Sequence, residues 1–222
     1  MSIEKATQAY RFEPRWPVVL TILAVLFLLM ALPGRIRLVP SWTPYVIGVA
    51  VLVPIAAVGL TAPRTRWLRV ERTVTLLFFV VVTVGNLANL GNLVYAMLNR
   101  SAETSGLQLL TSSIAVWVNN VLTFSLLYWQ MDRGGPEARV NDAGTRPDWL
   151  FPQMGAAENV LPDWRPVFVD YLFLSYSTAT AFSTTDVMPL TSRAKMLMML
   201  ESTISLATIV VVASRAINIL GN

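Results

Sequence analysis

An all-α, polytopic membrane bundle is the fold class this sequence predicts, and three observations predict it. Hydrophobic residues make up 55% of the 222 positions and charged residues only 14%, where a soluble domain carries about 25% charge. The apolar residues fall into long runs, each near the roughly 20 residues a helix needs to cross about 30 Å of hydrocarbon. The basic residues are unevenly shared among the segments that join those runs, as the positive-inside rule requires of a protein that crosses a bilayer repeatedly.

The first candidate helix runs from Trp16 to about Leu38, with Pro33-Gly34 near its end. The second runs from Trp42 to Leu60, the third from Val70 to Leu98 and the fourth from Gly106 to Met131. Asp132-Arg133-Gly134-Gly135-Pro136 then makes a strong helix stop. The polar stretch from Asp132 to Arg165 holds four Pro and four Gly. Its 133–148 part, rich in turn residues and poor in apolar ones, reads as a flexible loop. A shorter apolar stretch spans Pro166 to Phe182, and the last helix spans Thr191 to Leu220. The chain thus divides into a four-helix membrane domain (1–131), a polar loop (132–164) and a helix-loop-helix module (165–222).

Orientation follows from charge. Lys5, Arg11 and Arg15 precede the first helix, and Arg64, Arg66, Arg69 and Arg72 follow the second. The opposite loops hold only Arg35, Arg37 and Arg100. The N-terminus and the 132–165 segment are therefore expected in the cytoplasm, with the chain multi-pass in the inner (plasma) membrane. The polar lead before Trp16 mixes acids with bases and lacks a small-residue cleavage site, so the first helix is expected to stay. Trp16, Trp42, Trp67, Tyr128, Trp129, Trp149 and Trp164 read as interfacial anchors.

Composition also narrows the chemistry. With no Cys and no His, the chain has no thiol nucleophile, no histidine base and no common zinc ligand set. Paired aspartates for intramembrane hydrolysis are not visible either. No enzyme activity, metal or cofactor is expected. Gly134-Gly135 lacks the spacing of a phosphate loop. No basic patch interleaved with aromatics points to nucleic acid.

Residues 177–191 read Ser-Thr-Ala-Thr-Ala-Phe-Ser-Thr-Thr-Asp-Val-Met-Pro-Leu-Thr. From Thr178 to Thr191 this resembles, without a gap, the T-A-T-T-V-G-Y-G-D-x-x-P-x-T pore helix and filter of tetrameric potassium channels, followed likewise by a long apolar helix. It is also similar to a group of bacterial membrane proteins with a threonine-aspartate loop ahead of a last helix. Thr178, Ala179, Thr180, Asp186, Pro189 and Thr191 match by type. The resemblance covers about the last quarter of the chain. It implies a homotetrameric pore for monovalent cations, with Thr180, Ser183, Thr184, Thr185 and Asp186 along the ion pathway and Ser205 at the hinge glycine of the inner helix. The filter glycines are replaced by Ser183 and Thr185 and the tyrosine by Thr184, so potassium selectivity does not carry over. Weak cation selectivity at a hydroxyl-lined constriction does. A proton- or cation-coupled transporter using Glu201 or Asp186 is the second class, although no inverted repeat supports it. A non-conducting membrane scaffold is the third. Asp186-Val-Met-Pro also reads as an ordinary turn between two helices.

Two topologies fit. If 166–182 spans, there are six transmembrane helices and the Asp186 loop lies outside. If it re-enters, there are five spans and the loop lies inside. The basic-loop rule excludes the outside-in orientation of potassium channels, and six helices are preferred.

Polar residues within helices complete the inventory. Glu201, Ser205, Thr208, Val212 and Arg215 share one helix face, and a carboxylate there is expected to face a hydrated cavity or an oligomer axis, or to pair with Arg193 or Lys195. Asn86, Asn89 and Asn92, and Gln108, Ser112, Asn119 and Thr123, read chiefly as interhelical hydrogen-bonding residues. Gly85 and Gly91 suggest close packing beside them.

Overall fold

A computed structural model describes residues 13–31, 40, 42–60, 65–98, 106–141, 146–155, 164–181 and 186–220. It is all-α, as composition demands. The helices are α1 (Trp16–Ala31), α2 (Thr43–Leu60), α3 (Thr65–Leu98), α4 (Gly106–Met131), the short α5 (Pro136–Val140), α6 (Phe168–Ala181) and α7 (Ser192–Leu220). Among the described residues three segments are long and apolar enough to cross a membrane: Arg69–Asn92, Leu110–Gly134 and Ser192–Ser214. α1 and α2 supply shorter apolar stretches.

α4 is the hub, packed against α1, α3, α6 and α7. The bundle buries polar side chains beside an apolar core of Val18, Ile22, Phe78, Phe124, Leu174 and Ile204, and its outside is apolar as well. Asn86, Ser112, Ser113, Asn119, Asn120, Ser175 and Glu201 are buried, whereas Leu20, Phe27, Val49, Leu77, Val84, Met199 and Leu206 are exposed. A water-soluble monomer rarely exposes so much contiguous apolar surface; a bilayer favours it. α1 and α2 approach closely at Gly48, where a Cβ would stand 2.8 Å from Leu26 Cδ1. Gly85 and Gly91 have no such neighbour within 4 Å, so the close packing expected there is not formed.

The 132–165 segment departs from the flexible loop expected of it. α4 ends in a 3₁₀ turn at Asp132–Gly134, and Arg133, Gly134 and Gly135 all take positive φ. Glycine allows this without a Cβ clash, and the reversal sends α5 back along the end of the bundle. There Arg139 and Asp148 are buried. Trp149–Leu150 (β1) pairs antiparallel with Met188–Pro189 (β2).

That pairing fixes the course of the last module. Asp148 accepts hydrogen bonds from Thr191 Oγ1 (2.6 Å) and Arg193 at the start of α7, and its main-chain N–H donates to Asp132 Oδ1 (2.8 Å) at the end of α4. Tyr171, near the start of α6, donates to Asp132 Oδ2 at 2.6 Å. α6 and α7 therefore begin at the same end of the bundle and run parallel, with Ser175 beside Glu201 and Ser202 beside Thr178. α6 has 14 residues, about 20 Å of helix, and the chain is back at its starting end by Met188. Parallel α6 and α7 are the order expected if 166–182 re-enters, one of the two topologies that fit the sequence. The length of the 17-residue apolar stretch is compatible with either course, and the strand pairing that returns the chain to this end is not written in periodicity.

Candidate functional site

Glu201 lies one third of the way along α7 and is wholly buried. Three helices converge on it. Tyr128 of α4 donates its hydroxyl to Oε2 at 2.5 Å, and Ser175 of α6 contacts Oε1. Asn120 of α4 donates Nδ2 to the Glu201 carbonyl (3.2 Å) and to Ser205 Oγ (3.0 Å). Ser175 Oγ also lies 2.7 Å from the Val121 carbonyl. A hydroxyl has a single proton to donate. The set is complete when the carboxyl itself carries a proton to Ser175, Ser175 donates to Val121, and Tyr128 donates to the second oxygen. No cation faces Glu201 among the described residues; Arg193, an expected partner, is committed to Asp148.

The tight fit around the carboxyl comes from aromatic packing. Tyr128 stacks against Phe124 and against Trp149 from the segment that folds over the end of the bundle, with ring centroids 5.9 and 4.8 Å apart. Tyr128, Trp129 and Trp149 are therefore interior residues, not the interfacial anchors their positions suggested. Trp129 Nε1 donates to Glu13 Oε1 at 2.7 Å. The anchor reading failed because the polar segment seals this end.

Of the other expected site residues, Ser205 joins Glu201 through Asn120, and Thr208 is buried on the same face, as the spacing required. Thr180 is exposed and bonds to the Tyr176 carbonyl (2.7 Å), one turn back in α6. Asp186 is exposed at the charged end. Ser183, Thr184 and Thr185 lie outside the described residues. The structure thus gathers Glu201 and Ser205 and leaves Thr180 and Asp186 apart from them. Asn119 Nδ2 donates to Asn86 Oδ1 at 2.7 Å, which is the interhelical role expected of those amides. Sequence reasoning missed Asn120, Tyr128 and Ser175. A signal existed: Asn120, Phe124, Tyr128 and Asp132 follow in steps of four along α4, as do Tyr171 and Ser175 along α6.

A turn away lies a second polar cluster. Arg139 bonds Glu13 Oε2 at 2.9 Å and lies 4.9 Å above the Tyr171 ring. Arg15 bonds Glu71 Oε1 at 3.0 Å and sits 2.6 Å from Glu137 Oε1. Burial pushes the Glu137 carboxyl above its ordinary range, an effect that the Arg15 guanidinium opposes only in part.

Compared with family models, curated proteins and solved structures, the chain matches none. Its function is therefore argued from geometry. No group of metal-ligating side chains occurs among the described residues.

Proposed function

We propose that the chain is a channel-like integral membrane protein, a weakly selective cation pore whose ion pathway runs through the Thr180–Asp186 return segment. One observation carries this reading: α6 and α7 start at the same end and run parallel, and Asp186 and Met188 lie at that end again, an order that supports re-entry over two full crossings. Irregular backbone at membrane depth is tolerated only where protein buries it or where it lines an aqueous path. With the N-terminal tail and the Arg64–Arg72 segment cytoplasmic, the re-entrant module opens to the cytoplasm. Assembly as a homotetramer would place four Asp186 carboxylates around the cytoplasmic mouth, concentrating cations there.

The test is conduction in planar bilayers. Purified protein passes monovalent cations with little preference for potassium over sodium, and Asp186→Asn lowers conductance most at low salt, where the Debye length is long. Silence at every voltage and pH overturns the pore. Re-entry has a separate test, because the native chain has no cysteine. Single cysteines at the exposed positions Arg146 and Met188 react with an impermeant thiol reagent from the same side; opposite sides overturn it.

A second reading has its own support. Glu201, buried against neutral hydroxyls with no cation beside it among the described residues, suits a carboxyl that binds and releases a proton, as a proton-coupled transporter needs. Transport that depends on a pH gradient, and that Glu201→Gln abolishes, would select this reading.

A further inference from the structure

At the charged end, beside the buried salt bridges, the start of α3, the end of α4 and α5 enclose an open cavity of about 390 Å³. That volume is within the range of small-molecule sites. Arg69 and Arg72 stand one turn apart on α3, both exposed and both in its wall. Neither has a carboxylate partner among the described residues; Arg72 donates only to the Gly134 carbonyl, at 3.2 Å. Glu71 and Glu137 also line the wall, but both carboxylates face Arg15. Three guanidinium groups against two carboxylates leave one positive charge. Deeper in lies Gln130, buried, its Oε1 without a hydrogen-bond partner. A buried amide oxygen left unpaired is costly, and it wants a donor.

The two demands specify one chemistry. The arginines call for a phosphate, which guanidinium forks recognise well. The Gln130 oxygen and the glutamate oxygens beside it call for hydroxyl donors, and a bare phosphate dianion would only repel them. We propose that this cavity binds a hydroxyl-bearing phosphate ester of the glycerol-phosphate kind, with the phosphate on Arg69 and Arg72 and a hydroxyl on Gln130. Such a group comes either as a free sugar- or glycerol-phosphate or as the headgroup of an anionic lipid. The single surplus charge matches a phosphodiester. The proposal is independent of whether the pore conducts.

Calorimetric titration of the full chain in maltoside micelles tests it, with three probes: sn-glycerol 3-phosphate, dihexanoyl phosphatidylglycerol and dihexanoyl phosphatidylcholine. At least one glycerol-phosphate probe binds and the choline lipid does not. Binding of the free phosphate alone marks a soluble ligand, and binding of the lipid alone marks a headgroup site. R69A and R72A each weaken binding about tenfold or more, the loss of one charge-assisted hydrogen bond, with the unfolding temperature unchanged because both side chains are exposed. Q130L weakens binding of the hydroxylated probes, and R146A, outside the cavity, leaves it intact. Binding of neither glycerol phosphate, equal binding of phosphatidylcholine, or wild-type affinity in the R69A/R72A double variant overturns the proposal.

Discussion

Two carboxyl groups in this bundle are held by tyrosine hydroxyls and differ in everything else. Asp132, at the end of α4, takes Tyr171 on one oxygen and the Asp148 N–H on the other, within a cluster that also contains Arg139, Arg15 and Arg193. Glu201, deeper in, takes Tyr128 and Ser175 and has no guanidinium near it among the described residues. The charged end is organised by ion pairs: each of Glu13, Glu71 and Asp148 faces an arginine. The interior is organised by neutral donors. The contrast teaches that the first cluster closes the bundle, tying α1, α3, α4, α5 and α7 together, whereas the second holds a carboxyl in a form that a proton can satisfy.

Substitutions can break or sharpen this contrast. The largest effect is expected for Glu13→Gln, which leaves Arg139 buried without its counter-charge. Removing one partner of a buried pair costs about 3–5 kcal/mol, measurable as a lowered unfolding temperature in detergent micelles. Tyr128→Phe leaves a buried oxygen of the Glu201 carboxyl without its donor and costs about 1–3 kcal/mol in the same measurement. Glu201→Gln is expected to cost only about 1 kcal/mol, since an amide keeps neutral partners. A loss as large as that of Glu13→Gln would show that Glu201 is held as a charge and would erase the distinction. Asn119→Leu breaks the contact with Asn86 and costs about 0.6 kcal/mol, the usual size for a hydrogen bond between membrane helices.

The smallest effect is a pH dependence at Glu137. Its carboxyl is raised in the folded state, so its contribution is full below the ordinary carboxylate range and is lost as pH rises through the elevated value. Unfolding temperatures measured across mildly acidic pH should therefore fall slightly with rising pH. Glu137→Gln should flatten that trend; an unchanged slope would assign it elsewhere.

The helices were legible because a bilayer forces long apolar runs, and α1 to α4 and α7 lie where those runs do. The common face of Glu201, Ser205 and Thr208 was legible from spacing alone. What surrounds that face was not. Tyr128 and Ser175 come from helices separated from Glu201 by long stretches of chain, and only tertiary packing brings them together. The interior positions of Trp129 and Trp149 depend on a segment that composition described as loop. Its order arises from buried charges, Arg139 and Asp148, and local polarity cannot distinguish those from solvated ones. The parallel course of α6 and α7 belongs to one of the two topologies legible in the sequence, and the β1–β2 pairing that favours it is a contact of only four residues.

The half-length of α6 has an electrical consequence. A helix that crosses a bundle completely leaves both of its poles at the surfaces, where water screens them. α6 stops partway, and the C-terminal pole of a helix carries roughly half an elementary negative charge on its unpaired carbonyls. Ser202 Oγ lies 3.3 Å from one of those carbonyls, that of Thr178. The remainder lie at the C-terminal end of the helix, within the bundle. The backbone itself thus sets a negative potential inside the bundle, one that Asp186→Asn would leave in place. A pore built on it would still favour cations after its acidic mouth had been neutralised.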